Sequence, residues 1–250
     1  MQITGIKDVL FSDFAILPAP LLARYVNGDA PYISVAGTDV VQAGPFAAIG
    51  SIYMAGQSIF NHDGGDVSRA YLRDQSHETV AANQSSLHSY DNVTVTISAG
   101  ADLGWLVMAG NSAATMTGGT LVWAVIGDNA RATFNLAEAG SLSRLWFADA
   151  DGKATIRGYN LTASTYSVSG KSADGTDFSI GMTFTPCGWS VGCSLADFDP
   201  YDFAGLELID LGAQLEAGAV PDAPTCTMLV IGFGTVGTRI RRRRAVAASA

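Results

Sequence analysis

Charged residues are scarce in this sequence. Only 15% of its 250 residues are Asp, Glu, Lys or Arg, whereas 28 are glycine. A soluble helical bundle needs many charged side chains on its solvent-facing surfaces, so this composition disfavours that class. It suits an all-β chain with many turns, in which Thr and Ser cover the exposed faces of strands.

Basic residues are few outside one cluster near the C-terminus. The formal net charge is −9, and five of the fourteen Lys and Arg residues are Arg239, Arg241, Arg242, Arg243 and Arg244. The rest of the chain has nine basic and 23 acidic residues, so its net charge is near −14. Such an acidic body repels phosphate backbones, so we expect no nucleic-acid binding.

Cysteine is also rare, with three residues in the chain. Cys187 and Cys193 are separated by five residues, two of them glycine. In an exported protein this pair is a candidate disulfide, and two free thiols are the alternative. No His or further Cys stands close in sequence, so we expect no zinc site there. The stretch 61–66, NHDGGD, is too short and irregular for a calcium loop, and we expect no metal and no cofactor.

The N-terminus lacks a clear secretory signal. Its first thirty residues contain one Lys, Asp13 interrupts the apolar stretch, and no A-x-A cleavage pattern follows cleanly. Either the chain has no such signal, or the true start lies upstream of Met1.

A weak internal repeat runs from about residue 58 to residue 160. A Thr or Ser followed by an apolar residue recurs at steps of 17 to 22 residues, and a second apolar strip recurs out of phase with it. The repeated positions are Ser58, Thr79, Thr96, Thr115, Thr133 and Thr155. Asp, Asn and Gly separate the strips, as tight bends require.

This pattern predicts a parallel β-helix, or β-solenoid, with coils of about 17–22 residues. One two-stranded unit cannot bury its apolar face, but stacked units share a continuous core. Trp105 and Trp123, with Trp146 nearby, would stack as a ladder along the solenoid. The alternative is an antiparallel sandwich with evenly spaced strands.

The segment after Tyr159 reads as strand, Asp174-Gly175 turn and strand, which predicts a hairpin that caps the open end of the stack. The predicted organisation has five parts. They are an irregular N-terminal region or cap (1–50), solenoid repeats (51–160), a capping β region (161–211), a linker (212–224) and an apolar, basic tail (225–250).

The tail combines a short apolar segment with the arginine cluster. As a helix, residues 225–238 span about 21 Å, and the weakly polar flank before them lengthens this towards a marginal membrane span. The arginines should stay cytoplasmic, which places the body of the protein on the other side of the inner membrane. The alternative is a buried strand with a disordered basic end.

This C-terminal segment resembles the PEP-CTERM sorting signal of Gram-negative bacteria. Pro221-Asp222-Ala223-Pro224 stands where the family has Pro-Glu-Pro, and Cys226 replaces a frequent Trp. The segment matches the family in its apolar and glycine residues, followed by the arginines named above. These apolar and glycine residues are Met228, Gly232, Phe233, Gly234 and Gly237.

The resemblance implies recognition by an exosortase, a membrane transpeptidase, with cleavage around Val220 to Pro224. It implies transient anchoring in the inner membrane, followed by release to the cell surface or the medium. Repetitive β-helical proteins with such tails are associated with exopolysaccharide and biofilm matrix.

Catalytic motifs are weak. The candidate carboxylates and bases for a β-helical carbohydrate-active enzyme are Asp63, Asp66, Arg69, Arg73, Asp74, Asp91 and Asp128. Asp91 and Asp128 each precede Asn, where a turn explains them. His62, His77 and His88 match no nucleophile or metalloprotease motif, and we interpret them as surface or corner residues.

The sequence therefore predicts a non-enzymatic, extracytoplasmic structural or adhesive protein of the exopolysaccharide matrix. The alternative is a secreted β-helical polysaccharide lyase or glycoside hydrolase delivered by the same tail.

Overall fold

The computed structural model describes residues 23–138, 140–164, 166–184 and 205–212, and within them the chain forms eighteen β-strands. The short strands are β1 (Ala23–Val26), β3 (Val40–Ala43), β5 (Ile59–His62), β7 (His77–Val80), β9 (Thr94–Ile97), β11 (Ala113–Met116) and β13 (Arg131–Asn135). The long strands are β2 (Asp29–Val35), β4 (Ala48–Met54), β6 (Asp66–Leu72), β8 (Asn83–Ser89), β10 (Asp102–Met108), β12 (Gly119–Ile126) and β14 (Gly140–Phe147). The last four are β15 (Lys153–Ser164), β16 (Ser167–Lys171), β17 (Asp177–Phe184) and β18 (Leu206–Asp210).

These strands form a parallel β-solenoid. Each coil contributes one short and one long strand, and each strand pairs in parallel with its equivalent one coil away. A short-strand sheet and a long-strand sheet result, and seven such coils precede β15. The step between paired residues ranges from 17 residues at Ala23 and Val40 to 22 at Arg131 and Lys153. The predicted fold class and coil length are confirmed.

The threonine repeat follows the register of the short-strand sheet. Thr79, Thr96, Thr115, Thr133 and Thr155 lie beside one another on successive coils.

Ser58 is the exception in the predicted repeat, because Asn61 occupies the equivalent position beside Thr79. Ser58 is buried at a corner, where its hydroxyl donates to the Ala55 carbonyl at 3.0 Å. A serine in a turn and a threonine in a strand look alike in sequence, which explains why Ser58 was assigned to the repeat in place of Asn61.

The coils begin earlier than the sequence predicted. Residues 23–50, assigned to an irregular N-terminal region, form β1, β2, β3 and the start of β4, in parallel register with the coils that follow. Tyr25 and Gln42 stand at the position that Thr fills in later coils, so the marker residue was absent there.

The core is a continuous apolar column inside the coils. The inward positions of each long strand are the second, fifth and seventh, counted from Asp102 in β10 and from its equivalents in the other coils. The third and fourth residues therefore both face outwards, where the strand bends. In β10, Gly104 and Trp105 face outwards between the buried Leu103 and Leu106. The largest fully buried side chains are Phe60, Phe134, Phe147, Ile49, Ile52, Leu72, Leu87, Ile97, Leu103, Leu106, Met108 and Met116.

Aspartates close the bends that follow the long strands. Asp74, Asp91 and Asp128 have φ values of 62°, 61° and 52°, a left-handed conformation that Asp tolerates better than most residues. Their carboxylates accept hydrogen bonds from the backbone of the preceding coil. Gly110 N–H donates to Asp128 at 3.0 Å, and Asp128 N–H donates to Asp149 at 2.6 Å. The interpretation of Asp91 and Asp128 as turn residues is confirmed.

The predicted hairpin is present after the seventh coil. β16 pairs antiparallel with β17 across the turn at Asp174 and Gly175, and also with the second half of β15. β17 and β18 then extend the two sheets by pairing in parallel with β14 and β15. The hairpin therefore covers an edge that the long-strand sheet would otherwise expose.

The predicted C-terminal helix, the sorting tail and, apart from Gly212, the linker lie outside the described residues, as does the pair Cys187 and Cys193. In the described part of the chain, no helix has the length and apolar character needed to cross a membrane.

Glycine at position 104 is required by the close approach of adjacent coils. A Cβ at Gly104 would lie 2.5 Å from the Ser85 carbonyl oxygen, whereas a Cβ at Gly28 would meet nothing within 4 Å. We expect Gly104→Ala to lower the free energy of unfolding by about 1–3 kcal/mol, as overpacking does. Chemical denaturation measures this change, and Gly28→Ala is the control, with an expected change below about 0.5 kcal/mol. Equal effects of the two substitutions would contradict this close approach of the coils.

Candidate functional site

Two outward-facing columns of side chains run along the long-strand sheet, one residue per coil. We name them by their dominant aromatic residue. The Trp column contains Tyr32, Ser51, Arg69, Ser86, Trp105, Trp123 and Arg144. The Tyr column contains Ser34, Tyr53, Tyr71, His88, Val107, Val125 and Trp146, of which Val125 is buried.

Aromatic rings stack along the Trp column because the in-register coils place them one strand spacing apart. The rings of Trp105 and Trp123 are nearly parallel, at 3°, with centroids 4.9 Å apart. The guanidinium of Arg144 lies 4.6 Å from the Trp123 ring centroid, within cation–π range. Trp105 remains 42% exposed, while Trp123 between its two neighbours is half-buried.

The Tyr column stacks in the same way. Tyr53 and Tyr71 have ring centroids 4.7 Å apart, and Tyr71 and His88 have centroids 5.0 Å apart. Tyr32 of the Trp column also packs against the Tyr column, since its ring centroid lies 5.1 Å from that of Tyr53. Tyr32 and Tyr53 are 50% and 40% exposed. Contiguous exposed apolar patches often mark binding sites.

The two columns carry no carboxylate, although the whole chain is acidic. Their charged members are Arg69 and Arg144, both exposed, and His88 is their histidine. Burial lowers the pKa of His88, and the positive charge of Arg69 lowers it further. The neutral imidazole is therefore favoured, and the surface presents aromatic rings with two fixed positive charges.

Part of this surface was predicted from the sequence. The predicted stacking of Trp105 and Trp123 is confirmed, but Trp146 lies in the other column, and Arg144 occupies the position next to Trp123.

The Tyr column was missed in the sequence. Its signal was the recurrence of Tyr53, Tyr71 and His88 at steps of 18 and 17 residues. A pattern restricted to Trp does not contain that recurrence.

The candidate catalytic carboxylates lie at two corners of the coil, with Asp63 and Asp66 around the start of β6 and with Asp74, Asp91 and Asp128 after the ends of long strands. Asp63 accepts a hydrogen bond from Gln42 at 3.1 Å, and Asp66 accepts one from Asn83 at 3.1 Å. Asp74 lies at the opposite end of β6 and accepts from Gly56 N–H at 2.9 Å.

In the described part of the chain, neither candidate arginine forms an ion pair with these carboxylates. Arg69 belongs to the Trp column, and Arg73 lies over the Tyr90 ring at 5.5 Å. Among the described residues, no group of three or more His, Cys, Asp or Glu side chains is placed to hold a metal ion.

The three histidines occupy different environments. His77 lies on the short-strand sheet with its Nε2 3.2 Å from the Thr79 hydroxyl, and His88 stacks in the Tyr column. His62, expected at the surface, is fully buried and stacks on Phe60 at 5.6 Å. The fourth residue of each short strand faces inwards, and at that position the β5 sequence supplies a histidine where β7 and β9 supply Val and Ile.

His62 belongs to a buried polar cluster in the core. Its Nδ1 lies 3.1 Å from Gln84 Oε1, and the Gln84 amide nitrogen donates to the Ser86 carbonyl at 3.4 Å. Glu78, also fully buried, lies beside Phe60 and Val95 in the short-strand ladder.

The carboxyl group of Glu78 has no hydrogen-bond partner in suitable geometry among the described residues. Burial raises the pKa of Glu78 to about 8, against a smaller lowering effect of the nearby Gln84 amide. The side chain is therefore protonated and neutral in the folded protein at neutral pH.

The proposed sorting residues have no described position relative to these columns. Pro221, Asp222 and Pro224, the apolar and glycine residues of the tail and its arginines lie outside the described residues. Comparisons with protein-family models, curated proteins and solved structures found no match. Function is therefore inferred from the surface of the solenoid and from the residues of the tail.

The neutral state of Glu78 predicts a specific dependence of stability on pH. Between the unfolded pKa of 4.5 and the folded pKa of about 8, the unfolded chain releases this proton and the folded chain keeps it. The contribution of Glu78 to stability should therefore fall as pH rises through this window, by about 1.4 kcal/mol per unit, and level off above it.

Glu78→Gln isolates this effect, because the amide has nearly the same shape and does not ionise. Relative to wild type, we expect the variant to gain stability steadily from about pH 5 to pH 8 in urea denaturation. All other titrating groups, including His62, are common to the two proteins. A difference that stays constant with pH would contradict the buried, unpaired carboxyl.

Proposed function

We propose that this protein is a non-enzymatic, exported structural or adhesive protein that binds polysaccharide of the extracellular matrix. The observation that carries the proposal is the pair of aromatic columns on the long-strand sheet. Stacked Tyr rings on the first coils and stacked Trp rings on later coils, with exposures of 40% at Tyr53 and 42% at Trp105, form amphipathic patches along the solenoid.

Aromatic rings suit carbohydrate because sugars have both apolar and polar groups. The C–H groups on a pyranose face carry partial positive charge and pack against the negative face of an aromatic ring. The hydroxyl groups around the sugar then bond to polar neighbours. In the columns those neighbours are Ser51 and Ser86, the arginines and the Tyr hydroxyls.

The periodicity of the surface suits a polymer better than a small molecule. The seven coils repeat equivalent positions about every 4.8 Å, so six steps extend the columns over about 29 Å. A chain of sugar residues can therefore make several weak contacts at once, and linked contacts raise the overall affinity without any deep pocket.

The C-terminal segment supports export and sorting. Its resemblance to PEP-CTERM signals suggests that an exosortase-type transpeptidase recognises Pro221, Asp222 and Pro224, while the apolar stretch and arginines hold the precursor at the inner membrane. In the proposed order of events, cleavage releases the solenoid to the cell surface or medium, where polysaccharide is present.

Co-sedimentation with exopolysaccharide from the producing cells tests the binding proposal. We expect Tyr53→Ser combined with Tyr71→Ser to lower the affinity about tenfold, because the central rings of the Tyr column are removed. Serine already stands in this column at Ser34, so the fold should accept the changes.

The matched control combines Thr96→Ala with Thr115→Ala on the short-strand sheet and should bind as wild type does. Equal binding by the tyrosine variant and the control would refute the assignment of this surface. Depolymerisation of the polysaccharide by wild-type protein would instead favour the enzymatic alternative.

A further inference from the structure

A gap in the Trp column lies at Ser86, between Arg69 on one side and Trp105 on the other. These three residues stand on the successive strands β6, β8 and β10 at equivalent positions. The Ser86 side chain is too small to continue the ring stack. We name the space above it the Ser86 slot, bounded by Arg69, Ser86 and Trp105.

One face of Trp105 is directed into this slot. Its other face is covered by Trp123, which is nearly parallel at 4.9 Å, and the far face of Trp123 is covered by Arg144. The greater exposure of Trp105, at 42%, agrees with a ring that has a stacking partner on one side alone among the described residues.

The height of the slot matches a single ring. Arg69 and Trp105 are two strand spacings apart, about 9.6 Å. A ring packed between them needs about 3.5–4 Å on each side. One sugar or other six-membered ring therefore fits, with one face on the Trp105 indole and Ser86 beneath it.

The positive charge of Arg69 favours a ring that carries a negative charge. Arg69 is exposed, and its positive charge lowers the pKa of the neighbouring His88, which places that charge close to the slot. No carboxylate lies within salt-bridge distance of Arg69 in the described part of the chain. The acidic residues on the same strands, Asp66 and Asp102, come three residues before Arg69 and Trp105, about 10 Å along the strand.

We infer that the Ser86 slot binds an acidic sugar, a uronic acid residue of an anionic polysaccharide, by stacking on Trp105 and pairing with Arg69. The guanidinium presents two parallel donors that match the two oxygens of a carboxylate. Uronic acid is thereby the ligand class of the proposed polysaccharide-binding surface, so the inference rests on that proposed function.

The test compares two probes that differ in the carboxylate. Hexaglucuronate and cellohexaose have the same β-1,4-linked backbone, with C6 as a carboxylate in the first and as a hydroxymethyl group in the second. Wild-type protein should bind hexaglucuronate about tenfold more tightly in calorimetry at low salt, the effect of one charge-assisted contact. The preference should weaken as salt is added.

Two variants address the slot directly. Arg69→Gln should markedly lower the preference for hexaglucuronate over cellohexaose, although Arg144 remains in the same column. Ser86→Trp should fill the slot by extending the existing stack and lower hexaglucuronate affinity about tenfold. Position 86 is equivalent to Trp105 and Trp123 in the next two coils, so the fold should tolerate the larger ring. If Ser86→Trp does not fold, the result for Arg69→Gln alone tests the inference.

The matched control is Arg131→Gln, which removes an exposed arginine from the short-strand sheet and should leave both affinities within about twofold. Equal wild-type affinity for the two probes, or an unchanged preference in Arg69→Gln, would overturn the inference. If the wild-type protein binds native exopolysaccharide but does not prefer hexaglucuronate, the inference fails and the proposed function stands. If it prefers hexaglucuronate but ignores native exopolysaccharide, the proposed function fails and the acidic-sugar slot stands.

Discussion

The rest of this structure depends on the in-register stacking of coils, because each outward residue is placed one strand spacing from its equivalents in the coils before and after it. Backbone hydrogen bonds between parallel strands fix that register. The Trp and Tyr columns follow directly, since residues 17 or 18 apart in sequence become neighbours with ring centroids 4.7–5.0 Å apart. The same rule builds the threonine ladder on the opposite sheet.

The register is maintained at the corners as well as in the sheets. Carboxylates of Asp74 and Asp128 accept backbone hydrogen bonds from the preceding coil, which gives these acidic residues a structural role. Inside the coils, the neutral Glu78 and the buried His62 are polar exceptions to an apolar core. Ionisation of Glu78 therefore affects the stability of the core and not the chemistry of the surface.

Much of the fold could be predicted from the sequence because the repeated threonines occupy equivalent positions in stacked coils. Residues 23–50 were not assigned to coils because they lack that marker. His62 was placed at the surface because the sequence of a four-residue strand does not show which of its side chains face inwards. The stack of Trp105 and Trp123 could be derived from an 18-residue step, whereas the Tyr column mixes Tyr, His and Val and has no single marker. The gap at Ser86 becomes visible only when the register of three coils is known.

The most direct test of export and polysaccharide binding is fractionation of the producing cells, followed by intact-mass analysis of the protein in each fraction. We predict a species that ends near Pro221, lies outside the cytoplasm and co-purifies with exopolysaccharide. A full-length chain of 26.0 kDa confined to the cytoplasm would contradict this proposal.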